Sequence, residues 1–225
     1  MGWSLTQLQE AMANELDLSD SAPTAGGDDW NIRLSYLNRA QFDLQEAYDW
    51  RWAQKIVNTR TSQATGNVTV TLPSDFRKLA SSPQITWDGL TTENFTEINL
   101  VDTNRYYDTD RYIYVQGNPA DNYSFVIHGA TLASGASINY AYYAALASLA
   151  SPTNVSMAPD PTFLVQRALY YYLKSRGDER FQEAKVTADQ ILQRLLEKEN
   201  TRGDQFDDRI KLRTESRMSF RIGRD

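Results

Sequence analysis

The chain has 225 residues, 41% hydrophobic and 12% aromatic, with a formal net charge of −6. This composition belongs to a globular protein of one large or two small domains and excludes a disordered chain, which lacks the aromatic and β-branched residues that offset ordering entropy. Cysteine is absent, which excludes disulfides, thiolate metal sites and cysteine nucleophiles and fits folding in a reducing cytoplasm. The acidic balance argues against general affinity for DNA or RNA, because phosphate binding rests on Lys and Arg displacing counterions.

At the start, Met1 to Asp20 lacks the basic opening and unbroken apolar stretch of a signal peptide. No later run approaches the roughly 18 apolar residues of a membrane span. Ser4 and Gln7 form an S-x-x-Q capping box with Trp3 placed as a staple for Leu8, so a first helix starts here and carries Leu5, Leu8, Met12 and Leu16 as its stripe. A linker follows from Ser19 to Gly27, rich in Ser, Ala, Pro, Thr and Gly. Asp28 or Asp29 caps a second helix, in which Trp30, Leu34, Leu37, Leu44 and Tyr48 recur at helical spacing and which is expected to run through Trp50 and Trp52 to about Ile56.

Between Asn67 and Tyr143 the period changes to two. Val68, Val70 and Leu72 alternate with polar residues, as do Tyr112 and Tyr114, then Tyr123, Phe125 and Ile127, then Ile138, Tyr140 and Tyr142. With Gln84 to Trp87 and Phe95 to Val101, about six strands are expected. Helical spacing returns at Asp160-Pro161, an N-cap followed by proline at the first helical position. From Phe163 to Leu173 nearly every face is apolar or aromatic, so this helix must be covered all round by its own core or by neighbouring subunits. Gly177 closes it, Asp178 caps the next, and Phe181, Ala184, Ala188, Ile191 and Leu195 repeat at three and four until the helix ends near Gly203.

Arg209 to Arg224 holds six basic residues against the single acidic Glu215. Ile210 and Leu212 alternate with Arg209, Lys211 and Arg213, and Met218, Phe220 and Ile222 alternate with Arg217, Ser219 and Arg221, which reads as two short extended segments. Ordering about 20 such residues costs more entropy than their apolar side chains return. The tail is therefore expected to order only on a partner that supplies backbone hydrogen bonds as well as pockets, as in strand addition. The fold class expected is α+β: a helical body from 1–60 and 145–203, a β-rich insertion at 61–144 and an extended C-terminal tail at 204–225.

Catalytic candidates are few. His128, the one histidine, sits in a strand; a strand-end histidine facing solvent or core is a plainer reading than a general base, and one histidine makes no zinc site. Asp102, Asp108 and Asp110 flank Tyr106 and Tyr107, but acids in such a stretch are usually solvated turn residues, and Arg105 to Tyr107 fill the place where a calcium loop needs its glycine. No phosphate-binding glycine loop occurs. No enzyme activity, cofactor or metal is expected. The tyrosines of the β region, among them Tyr112, Tyr114, Tyr123, Tyr140, Tyr142 and Tyr143, could form a sugar-binding platform, although aromatics also suit pleated cores and protein contacts. Two Arg-Gly-Asp triplets, Arg176 to Asp178 and Arg202 to Asp204, are better explained by helix-ending glycines than by adhesion. Four Asn-x-Ser/Thr triplets, beginning at Asn67, Asn94, Asn122 and Asn154, should stay unmodified without a secretory signal.

The order of features resembles the head-to-tail adaptor, or connector, proteins of tailed bacteriophages. A helix ending in Ala47-Tyr48-Asp49-Trp50-Arg51-Trp52 is followed by a hairpin-like run closing in Leu72-Pro73-Ser74-Asp75-Phe76-Arg77-Lys78, then a tyrosine-rich β region, a tyrosine-rich helix, and Arg176-Gly177-Asp178-Glu179-Arg180-Phe181 opening a long final helix. The resemblance covers about Asp29 to Gly203. It implies a structural virion protein at the head-tail neck, made in the host cytoplasm, forming a ring of about twelve copies beneath the portal. It further implies a tail, stopper or nozzle protein on the distal side and DNA passing through the channel without sequence-specific binding. In that family a C-terminal extension commonly reaches into the portal. That assigns a partner to Arg209, Ile210, Lys211, Leu212, Arg213, Arg217, Met218, Phe220, Arg221 and Ile222: the apolar members enter grooves and the basic ones meet acidic surface. The alternative is a tail-associated carbohydrate-binding module.

Overall fold

The structure is a computed structural model that describes the backbone of residues 2–16, 22–60, 64–80, 84–87, 91–94, 96–97, 112–118, 122–132 and 137–218. Side chains at 60, 64–68, 84–97, 125, 129–137 and 201–218 are outside that description. The chain divides into two compact units, one of residues 1–48 with 148–225 and the other of residues 49–147.

The first unit is helical: α1 (Leu5–Glu15), α2 (Asp28–Ala47), α3 (Pro161–Arg176) and α4 (Phe181–Met218). α1 starts at the capping box, with Ser4 Oγ accepting from Gln7 N and the Gln7 side chain accepting from Ser4 N at 2.9 Å. The other unsatisfied donors of its first turn are met by the segment before α3: Leu5 N donates to Asn154 O at 2.8 Å and Thr6 N to Pro152 O at 3.2 Å. That segment is itself pinned to α2 by Asn38, whose side chain donates to Leu149 O at 2.9 Å and accepts from Leu149 N at 2.8 Å.

α3 packs against α1, α2 and α4, which answers the question its composition raised. Its own unit buries Phe163, Leu164, Val165, Ala168, Leu169, Tyr172 and Leu173, while Tyr170 and Tyr171 stay half-buried. Its ends follow the local chemistry expected of them. Asp160 accepts from Thr162 N at 3.0 Å, Pro161 opens the helix, and Gly177 closes it in the left-handed region at φ 70°.

α2 departs from expectation at both ends. Its N-cap is Gly27, so Asp28 and Asp29 lie in the first turn and act on the helix dipole instead of capping it. It stops at Ala47 and does not reach Ile56, because Tyr48 turns extended (φ −165°, ψ 160°) and Trp50 is buried, 6.0 Å from Trp52 in a 3-10 turn at Arg51–Ala53. The β-branched run beyond it is a strand.

The second unit holds β1 (Gln54–Arg60), β2 (Ala64–Thr71), β3 (Phe76–Leu79), β4 (Gln84–Trp87), β5 (Thr91–Asn94), β6 (Thr96–Glu97), β7 (Tyr112–Asn118), β8 (Asn122–Leu132) and β9 (Ser137–Ala144). In one sheet β9 is central: β1 runs antiparallel along one edge, while β3 and then β4 take the other, with β5 outside β4. The second sheet has the order β2-β8-β7-β6, antiparallel except for the short β6–β7 pair. β1, β3 and β5 were not among the expected strands, and of the expected strand at Phe95 to Val101 only Thr96–Glu97 lies within the described residues.

The core of this unit joins the two sheets. Ile138, Tyr140, Tyr142 and Ala144 of β9 meet Val70 of β2, Ile113 of β7 and Ile127 of β8, with Leu72 and Phe76 among them. Ile113 and Ile127 are directly paired and fully buried. Tyr112 and Tyr114 therefore lie on the opposite face of β7, where Tyr112 stacks on its cross-strand partner His128 at 4.5 Å. The alternation is as expected, but a period of two does not say which of its faces is the inner one.

Candidate interaction site

The segment singled out for partner binding begins on α4. Ala188, Ile191, Leu195 and Glu199 of α4 are buried, and Asn200 Oδ1 accepts from Tyr48 Oη at 3.3 Å. Beyond Asn200 the backbone stays helical to Met218. At 1.5 Å per residue α4 is about 57 Å long and α3 about 24 Å, so α4 outlasts the helix it lies along.

Arg209, Ile210, Lys211, Leu212, Arg213, Arg217 and Met218 thus lie on helical backbone. The extended run expected over Arg209 to Arg213 and the stop near Gly203 are both corrected, as is the reading of Gly203 as a helix-ending glycine. The reason is local: Arg, Lys, Leu, Glu and Met make up most of Arg209 to Met218, and one glycine at 203 costs only about 1 kcal/mol in a helix that is already nucleated. Phe220, Arg221 and Ile222 lie outside the described residues.

The Leu72 to Lys78 motif is a structural corner. Phe76 N donates to Pro73 O at 2.9 Å, and the Phe76 ring is buried 5.5 Å from Tyr123 and 5.8 Å from Tyr142. Asp75 accepts from Lys55 Nζ at 2.5 Å and from Tyr142 Oη at 2.8 Å, while its carbonyl accepts from Ala145 N at 2.6 Å. Burial pushes the Asp75 carboxyl up, but the hydrogen bonds from Lys55 and Tyr142 prevail and hold it below the usual carboxylate range. Burial first, and then the bond to Asp75, keep Tyr142 protonated above the ordinary tyrosine range. Arg77 Nη2 reaches Asp49 at 2.6 Å, and Lys78 pairs with the same carboxylate.

A second polar cluster, which the sequence did not single out, ties three helices of the first unit. Asp43 of α2 accepts from Arg167 Nε at 2.6 Å and from Tyr171 Oη at 2.5 Å, both on α3. Arg167 Nη1 reaches Asp189 of α4 at 3.6 Å, and the Arg39 guanidinium lies 4.0 Å over the Tyr171 ring. Burial lowers the Arg167 pKa, but the Asp43 carboxylate outweighs it and raises the guanidinium further. The signal was Arg167, the one charged residue between Phe163 and Leu173. Its partner lies 124 residues away.

The other candidates do not assemble a site. Tyr112, Tyr140 and Tyr142 are buried, so they cannot serve as a sugar platform; Tyr114, Tyr123 and Tyr143 are half-buried. Asp102, Asp108, Asp110, Tyr106 and Tyr107 lie outside the described residues. Among the described residues no cluster of acids and histidine could hold a metal ion, and no helix is long and apolar enough to cross a membrane. What the described residues present is a helical unit, a two-sheet unit, and a basic C-terminal helix extension.

The family model for the SU10 adaptor protein matches residues 4–215. The chain belongs to this phage head-to-tail adaptor family. No curated protein matches the sequence. The match takes in Arg209 to Arg213 and stops short of Arg217. Membership makes the adaptor a structural component of the virion that meets other phage head and tail proteins.

Proposed function

We propose that the adaptor sits as a ring of about twelve copies beneath the portal, joins the capsid vertex to the tail, and continues the DNA channel without reading sequence. The observation that carries this reading is the end of the chain: a helix that continues past the one it lies along and carries Arg209, Lys211, Arg213 and Arg217 in its last turns. A segment of that kind gains order from a partner's surface. Ile210, Leu212, Met218, Phe220 and Ile222 would fill grooves on the portal, and Arg209, Lys211, Arg213, Arg217 and Arg221 would meet its acidic surface. The distal face would receive a stopper or nozzle protein. The work is mechanical and the adaptor is not an enzyme.

Deleting Asp207 to Asp225 tests the assignment. The shortened protein should keep the circular dichroism and thermal unfolding of its helical and sheet units but fail to co-sediment with purified portal rings. Undiminished portal binding by the deletion would remove the C-terminal segment from the mechanism.

A further inference from the structure

Charge is unevenly placed in the helical unit. Up to Ile32 the chain carries Glu10, Glu15, Asp17, Asp20, Asp28 and Asp29 and no Lys or Arg. Asp28 and Asp29 are exposed in the first turn of α2, and Ile32, 41% exposed, follows them at helical spacings of four and three. The start of α2 is therefore an apolar knob with two carboxylates on the same face.

A second surface of the unit has the complementary character. Tyr170 of α3 and Phe181 of α4 are half-buried, with ring centroids 6.2 Å apart. Lys174 Nζ donates to Tyr170 Oη at 3.0 Å, and the Arg167 guanidinium lies 5.3 Å from the Tyr170 ring. The Lys174 hydrogen bond, with the charges of Lys174, Arg167 and Lys185, holds the Tyr170 hydroxyl below the ordinary tyrosine range. Arg167 is engaged by Asp43. Among the described residues, no carboxylate lies within ion-pair distance of Lys174 or Lys185, and none of those two lysines pairs with Asp28 or Asp29 of the same chain.

We infer that these two surfaces are the halves of a contact between copies of the adaptor. The start of α2 of one copy seats on the Tyr170–Phe181 surface of the next, with Ile32 on the rings and Asp28 and Asp29 facing Lys174 and Lys185. Each copy carries both halves, so every copy can give one half and receive the other. This rests on the ring reading above and adds which surfaces meet. A nucleic acid is the less favoured occupant: the two ammonium groups of Lys174 and Lys185 are few for strong phosphate binding, whereas the chain itself supplies an occupant matched in both charge and apolar bulk.

Two charge-reversed proteins test the contact, Asp28→Lys with Asp29→Lys, and Lys174→Glu with Lys185→Glu. All four positions are exposed, and thermal unfolding of each variant checks that it folds; the milder Asp28→Asn with Asp29→Asn pair stands in if the reversal does not. Sedimentation velocity at low salt, where exposed charges are least screened, should show association of the natural protein that weakens as salt is raised. Each reversed variant alone should associate at least about ten-fold more weakly, since like charges then face each other across the contact. An equimolar mixture of the two should regain association, because the reversed half of one fits the reversed half of the other and their natural halves fit each other. A natural protein that stays monomeric at every salt concentration, variants that associate as it does, or a mixture with no recovery would overturn the contact, as would binding of a DNA duplex that is lost with Lys174→Glu and Lys185→Glu while self-association stays intact. Portal co-sedimentation, measured in parallel, separates the two readings: it tests the adaptor assignment through the C-terminal segment and does not depend on Asp28, Asp29, Lys174 or Lys185.

Discussion

Replacing Asp43 with alanine should loosen the helical unit while leaving the sheet unit untouched. In the structure its carboxylate accepts from Arg167 Nε at 2.6 Å and from Tyr171 Oη at 2.5 Å. Both ion-pair partners are only about a quarter exposed, with side-chain accessibilities of 23% for Arg167 and 25% for Asp43. A hydrogen bond to a charged group contributes about 1.5–3 kcal/mol when buried, and partial access of water to both partners reduces what is lost. A destabilisation of about 2–3 kcal/mol follows for Asp43→Ala, larger than the roughly 0–1 kcal/mol of an exposed ion pair. For a unit of this size that lowers Tm by about 8–12 °C. Thermal unfolding followed at 222 nm, where the helices dominate, reads the change. A double-mutant cycle with Arg167→Met, which keeps the apolar stem of the side chain, should return a coupling of about 1–2 kcal/mol. A loss under about 0.5 kcal/mol for Asp43→Ala, the size of an ordinary surface change, or a coupling near zero, would refute the claim that this cluster holds α2 on α3.

The sheet unit should respond to pH at both ends of the scale. Asp75 is held below its ordinary value of 3.8, so its contribution is complete above that value and is lost as pH falls through the lowered one; in acid titrations followed by tryptophan fluorescence, Asp75→Asn should flatten this limb. Tyr140 and Tyr142 are held above the ordinary 10.0, chiefly by burial. Below pH 10 both states keep these protons, but above it only the unfolded chain ionises, so stability should fall with rising pH, and tyrosinate absorbance at 295 nm should show a late phase that coincides with unfolding. Gly117 sits at φ +102°, and a Cβ there would stand 2.3 Å from Asn122 O. Gly117→Ala should therefore cost about 1–3 kcal/mol by denaturant titration.

Local chemistry made parts of this fold legible. The capping box at Ser4 and Gln7, the Asp160-Pro161 start and the Gly177 stop each act within a turn of their own position. Short-range rules therefore locate them without reference to the rest of the chain. Where only medium-range pattern was available, the reading slipped. The apolar spacing that runs on through Trp50 and Trp52 looks helical, yet those rings stack on each other at a 3-10 turn and β1 pairs along its full length with β9, residue Gln54 opposite Tyr143. At the C-terminal end the opposite happened: an alternation that reads as strand lies on helical backbone through Met218, where intrinsic propensity meets no described competing partner. The residues proposed to meet the portal stand in a run of Arg and Lys interleaved with apolar side chains, a feature of composition that is legible without the tertiary structure.

From the sequence alone came the α+β class, the absence of thiol chemistry, the helix caps, the period-two region, the basic end of the chain and its likeness to phage adaptors. These follow from composition and from contacts between residues a few positions apart. Only the tertiary structure decided that Ile113 and not Tyr112 faces the sandwich core, that β9 is the central strand of its sheet, that Asp75 anchors a corner, and that Asp43 meets Arg167. Each of those depends on groups far apart along the chain, and a one-dimensional pattern carries a residue's character without the identity of what it will touch.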